Sequence, residues 1–133
     1  MMEGRNQMAI KRQVGDFLRL KRLEKKLTLE RTASAVGVSI NYISKLEKGE
    51  NSNPSDNIIV NLAKTLDIDE DALFTAFDKI PLSTRKVLME HPDLSKAISE
   101  IENNEKLNDQ MKEKFLRKVI YWYKKLSDDE NDF

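Results

Sequence analysis

Residues 37–50, GVSINYISKLEKGE, crowd hydrogen-bonding side chains into one short run: Ser39, Asn41, Tyr42, Ser44, Lys45 and Lys48. Ile43 and Leu46 fall between them at helical spacing, so the run reads as a helix with an apolar inner face and a polar outer one. Amide, hydroxyl and ammonium groups on such a face do one kind of chemistry well, which is recognition through donated and accepted hydrogen bonds. The means for other chemistry are sparse. The chain has no cysteine, which removes disulfides and thiolate metal sites. Its one histidine, His91, precedes Pro92 and reads as a helix-boundary residue. Acids gather at Asp67, Asp69, Glu70 and Asp71, but they read as the start of a helix, where negative charge suits the positive end of the dipole. No second acidic cluster completes a cation site. The expectation is a protein that is not an enzyme, with no catalytic residues, no metal and no cofactor.

The elements that must position the polar face follow from the rest of the chain. Its 133 residues suit one small domain with an appendage. The formal net charge is zero, yet residues 1–50 hold 11 Lys and Arg against 6 Asp and Glu, while residues 51–80 hold 2 against 6. A neutral chain with one basic end can still carry a one-sided field. No apolar run reaches the ~20 residues of a membrane span, and the N-terminus lacks a signal-peptide core. A cytoplasmic protein without membrane contact is the expectation.

Residues 1–9 lack periodicity and read as a flexible arm. From Ile10 apolar residues recur at 14, 17, 18, 20, 23 and 27, a helical stripe flanked by Lys11, Arg12, Arg19, Lys21, Lys25 and Lys26. Thr28 fits the N-cap of a helix running to Val36, with Leu29, Ala33 and Val36 inward. Gly37 suits the left-handed stop after it, Ser39 caps the next helix, and Gly49 ends that one. ENSNPS is a loop, because Pro54 keeps Asn53 out of the helical region. Asp56 then opens a fourth helix and DIDEDALFTAF forms a fifth. Pro81 marks the domain boundary. Beyond it come a short helix, a helix opened by Pro92, and a last one over roughly 106–126 whose apolar residues are Leu107, Met111, Phe115, Val119, Trp122 and Leu126. Residues 127–133 read as an acidic disordered tail. The fold class expected is all-α, with no strand signal: a flexible arm (1–9), a five-helix domain (10–80), a helical interaction region (81–126) and the tail.

Two short helices joined by a tight turn around Gly37 match the helix-turn-helix pattern, in which the second helix enters the DNA major groove. The stretch LTLERTASAVGVSINYISKLEKGENSNPS, followed by LAKTLDIDEDALF, resembles the Xre/Cro/C1 family of lambda-repressor-like DNA-binding domains over about residues 12–78. Within that family it is most similar to the SinR-type repressors. The resemblance implies base contacts from Ile40, Asn41, Tyr42, Ser44 and Lys45, since Asn bonds adenine and Lys donates to guanine. Ile40 has only a thymine methyl to touch, or packs against the backbone. It implies phosphate contacts from Thr28, Ser39, Lys48, Gly49 and Asn51, and a structural ion pair between Arg22 and Glu47. The chain departs from the family's usual residues at Leu29, commonly Gln, and at Thr32, commonly Leu.

SinR-type proteins carry C-terminal helices that dimerise and bind antagonist proteins. The closing KEKFLRKVIYWYKKL is loosely similar to them. A short appendage with so wide an apolar stripe must bury it on something, and a second copy is the expected partner. The function expected is that of a homodimeric, sequence-specific regulator of transcription, a repressor, on a palindromic or repeated double-stranded DNA site. The alternative is an antitoxin-like or adaptor protein whose C-terminal helices bind a protein partner.

Overall fold

The computed structural model describes residues 2–50 and 53–131, with side chains described for 12–50 and 53–128. Among the described residues the chain is all helical. The helices are α1 (Met2–Glu24), α2 (Leu29–Val36), α3 (Ile40–Glu47), α4 (Asp56–Leu66), α5 (Glu70–Ala76), α6 (Leu82–Glu90), α7 (Pro92–Asn103) and α8 (Asp109–Asn131). The chain divides into two units, Met1–Arg85 and Lys86–Phe133. The division falls inside α6, beyond the Pro81 boundary read from the sequence.

Helices α1 to α5 bury their apolar faces on one another. The core comprises Val14 and Leu18 of α1, Ala33 and Val36 of α2, Ile43 and Leu46 of α3, Ile59, Leu62, Ala63 and Leu66 of α4, and Leu73 and Phe74 of α5. Helix ends follow local chemistry. Ser55 caps α4 by accepting from the Ile58 amide, and Asp69 caps α5 by accepting from the Ala72 amide at 2.9 Å. Asp67 closes α4 in the left-handed region at φ 53°. The acids at 67 and 69 are thus helix-terminal residues.

Three sequence expectations differ from the structure. Helix α1 begins at Met2, so it runs through residues 2–9 that lacked a periodic signal. Among the described residues of its apolar stripe only Val14 and Leu18 are buried, whereas Phe17, Leu20 and Leu23 are exposed, because the other helices contact a single face of α1. Helix α8 starts at Asp109 and continues to Asn131, into the acidic stretch expected to be disordered. Asn108 sets its start by accepting from the Met111 amide at 2.8 Å, which leaves Leu107 ahead of the helix.

Candidate nucleic-acid interface

The turn between α2 and α3 is built from side chains that complete the helix ends. Thr28 Oγ1 accepts from the Arg31 amide at 3.0 Å and opens α2. One turn later Thr32 is buried to 1% exposure, and its hydroxyl donates to the Thr28 carbonyl at 2.9 Å, so a polar group in the core keeps a partner. Gly37 ends α2 at φ 87°, and the amides of Gly37 and Val38 both donate to the Ala33 carbonyl, at 2.8 and 3.0 Å. Ser39 then opens α3 by accepting from the Tyr42 amide at 3.0 Å. Gly49, at φ 76°, reverses the chain after α3 while the Glu50 amide donates to the Lys45 carbonyl at 2.9 Å.

Three residues, Arg22, Gly15 and Asn61, fix this turn on the domain beyond the burial of Ile43 and Leu46. Arg22 Nε donates to both carboxylate oxygens of Glu47 at 3.1 Å, and Arg22 Nη1 donates to the Leu27 carbonyl at 2.9 Å. Gly15 lies directly against the end of α3: a β-carbon there would stand 2.4 Å from the Glu47 carbonyl oxygen and 2.7 Å from that of Leu46. Asn61 on α4 donates through Nδ2 to the Val36 carbonyl at 3.2 Å and holds the C-terminus of α2. Gly15 and Asn61 went unnoticed in the sequence. A glycine inside a helical pattern points to a packing requirement, but the partner is invisible without the fold.

The outer face of α3 is open. Ile40, Asn41, Lys45 and Lys48 are exposed, Ser44 and Tyr42 half-buried. Ile40 stands out as a large apolar side chain at 48% exposure on an otherwise polar face. Thr28 and Ser39 are exposed at the starts of α2 and α3; each spends an acceptor lone pair on its cap and keeps its hydroxyl proton as a donor. Gly49 is half-buried at the end of the same surface, and Asn51 lies outside the described residues. The α2–turn–α3 unit therefore presents amide, ammonium and hydroxyl groups together on one solvent-facing surface.

In the second unit the apolar residues read from the sequence stay uncovered. Met111, Phe115, Val119, Trp122 and Leu126 are exposed, and Leu107 is half-buried. Ile98 and Ile101 of α7 and Phe115 and Leu116 of α8 line an apolar cleft of 190 Å³. Lys112 spans its edge, donating to the Glu102 carbonyl at 2.7 Å. Among the described residues of 86–128 none is buried. No helix of the described chain is long and apolar enough to cross a membrane, and no cluster of acids or histidines among the described residues could hold a metal ion.

Comparison with known proteins matches residues 18–73 to a helix-turn-helix family model. The chain is 35% identical over 63 residues to the HTH-type transcriptional regulator SlrR of Bacillus subtilis, a match that covers 47% of this chain and 41% of SlrR. It thus spans about two-fifths of the length of that relative. It is 38% identical over 79 residues, 59% of this chain and the whole of the other, to an uncharacterized HTH-type transcriptional regulator, y4dJ, of Sinorhizobium fredii. Among solved structures it is similar to the clp gene regulator ClgR of Corynebacterium glutamicum, with a TM-score of 0.45 and 22% identity over 71% of this chain and 94% of that one. A SinR–SinI protein complex gives a TM-score of 0.44 and 20% identity over 84% of this chain and 98% of that one. With its helix-turn-helix geometry and a full-length match to a regulator of this kind, the chain belongs to the helix-turn-helix family of transcriptional regulators.

Proposed function

We propose that the protein is a sequence-specific repressor that binds double-stranded DNA in the cytoplasm as a homodimer, with one α3 in each of two successive major grooves. The observation that carries this reading is the polar outer face of α3, clamped at its base by Arg22 and Glu47 and left open to solvent at Asn41 and Lys45. A major groove about 12 Å wide admits such a helix, and its base edges offer the acceptors and donors that amide and ammonium groups complement. Ile40, Asn41, Tyr42, Ser44 and Lys45 face base edges in this arrangement. Thr28, Ser39, Lys48, Gly49 and Asn51 take the flanking phosphates. The uncovered apolar residues of α7 and α8 pair two copies, so that the two reading helices fall about 34 Å apart on a palindromic or repeated operator. Selection of bound duplexes from a random pool by the full chain tests this. The expected product is a two-part motif with half-sites about 10–10.5 base pairs apart. A pool that stays unenriched overturns the reading.

A second reading shares the first unit and differs in the use of the second. The apolar cleft between Ile98, Ile101, Phe115 and Leu116 suits an antagonist protein that presents an apolar helix. Such a partner would compete with the second copy for the same residues and dissolve the dimer.

A further inference from the structure

We infer that the first unit holds a phosphate-binding cleft on the α1 side of α3, formed by Arg12, Arg19 and Lys48, which grips the DNA backbone beside the groove that α3 enters. The inference rests on the DNA-binding reading above and extends it to α1.

The cleft is open, with a volume of 360 Å³, and Arg12, Asp16, Arg19, Ser44 and Lys48 line it. Arg12, Asp16 and Arg19 are spaced i, i+4 and i+7, which places them on one face of α1. That face is held close to α3 by the approach of Gly15 to the Glu47 carbonyl, so the two arginines reach the same space as Ser44 and Lys48. The charges decide what the cleft takes. Arg22 and Glu47 also line it, but they neutralise each other in their ion pair. Arg12, Arg19 and Lys48 then oppose a single acid, Asp16. Among the described residues neither arginine nor Lys48 has an ion pair, so all three cations are unspent. Leu29 closes one wall without offering a hydrogen bond, which leaves the anion to the two guanidinium groups and the Lys48 ammonium.

Position selects the source of the anion. A helix seated in the major groove has a sugar-phosphate strand along each flank, and the cleft opens on the flank of α3 that carries Ser44 and Lys48. Guanidinium presents a planar fork of donors that matches two oxygens of one phosphate, and such contacts add affinity without sequence information.

The test uses the full-length chain with a duplex recovered from the random pool and with a scrambled duplex, titrated across a range of salt. Arg12→Ala/Arg19→Ala is expected to weaken both duplexes by the same factor and to flatten the dependence of log K on log salt by about one for each phosphate no longer neutralised. Arg12→Lys/Arg19→Lys is expected to restore most of the slope. A thermal melt of each variant excludes misfolding. A wild-type slope in a folded alanine variant overturns the inference and leaves the DNA reading intact, as does a weakening confined to the selected duplex, which would mean base contact. A wild-type melt raised by millimolar inorganic phosphate at fixed ionic strength, with that rise absent and the salt slope kept in the alanine variant, assigns the cleft to a small anion instead. Absence of any duplex binding by the wild type removes the DNA reading and the cleft's role with it.

Discussion

Arg22 of α1 and Glu47 at the last turn of α3 are bound side to side, with Nε 3.1 Å from both carboxylate oxygens and both side chains nearly closed to solvent. Removing one partner strands a buried charge. Glu47→Ala is expected to lower unfolding free energy by about 3–5 kcal/mol, whereas the double replacement Arg22→Met/Glu47→Leu loses much less. Chemical denaturation of the three proteins checks the order, and equal losses for single and double variants would contradict it.

Gly15 and Gly37 are both required, for unrelated reasons. At Gly15 an added β-carbon meets backbone atoms of Leu46 and Glu47, so Gly15→Ala must push α1 away from α3, at about 1–3 kcal/mol. At Gly37 the space around a β-carbon is empty and only the backbone angle, φ 87°, resists a side chain. Gly37→Ala is expected to lose about 1–2 kcal/mol, and Gly37→Asn less, since Asn visits the left-handed region more readily. Thermal melts of alanine and asparagine variants at both positions separate a steric from a conformational requirement. Asparagine should rescue position 37 and worsen position 15.

Lys45 and Lys48 are both exposed, three residues apart in the chain, yet they are expected to fail differently. Lys45→Ala relaxes preference at one base position of each half-site, at about 1–3 kcal/mol per contact. Lys48→Ala weakens all duplexes alike and flattens the salt dependence. Binding of each variant to single-base operator substitutions resolves the two. If both variants rank every operator as the wild type does, α3 does not read bases through Lys45.

Asp56 links the first turn of α4 to the start of α6. Arg85 Nη1 stands 2.7 Å from Asp56 Oδ2, and Lys79 Nζ stands 3.3 Å from Oδ1. The hydrogen bond from Arg85 and, after it, that from Lys79 hold the carboxyl below its ordinary value, while desolvation opposes them. A carboxyl lowered by folding stabilises the fold fully above its unfolded value, and the contribution disappears as pH falls through the lowered folded value. Wild type should therefore exceed Asp56→Asn in stability at neutral pH, and the gap should close in strong acid. A gap that stays constant from neutral pH into strong acid would refute the coupling.

Phe115 and Trp122 lie on the uncovered stripe of α8, at 43% and 59% exposure. Phe115→Asp/Trp122→Asp is expected to convert a dimer into a monomer in sedimentation and to weaken operator binding, without lowering the melting temperature of the first unit. A wild type that sediments as a monomer, or a variant that sediments like a dimeric wild type, overturns the proposed pairing through α8.

The local features of the first unit were legible in the chain because each rests on a short-range cause. Caps at Thr28 and Ser39 and left-handed stops at Gly37 and Gly49 are written in residues adjacent to the ends they complete. The inward pair Ile43 and Leu46 follows from helical spacing alone. Other features depended on long-range contact. The stripe of α1 is broader than the face that packs: among its described residues Val14 and Leu18 are buried and Phe17, Leu20 and Leu23 are exposed, because which side of a long helix meets its neighbours is decided by those neighbours. The helix over residues 2–9 and the continuation of α8 past Leu126 had no periodic apolar signal to announce them.

The sequence by itself determined an all-helical chain, the short helix that carries Asn41 and Lys45 outward, and the stops that end it, since hydrogen-bond caps and φ preferences act over a few residues. Only the tertiary structure decided that Gly15 meets the carbonyl of Glu47 and that Arg12 and Arg19 share a cleft with Lys48. The partners in each case stand on α1 and on or just after α3, with α2 between them in the chain, and their meeting is set by the packing of α1 on α3 and by no local preference of either helix.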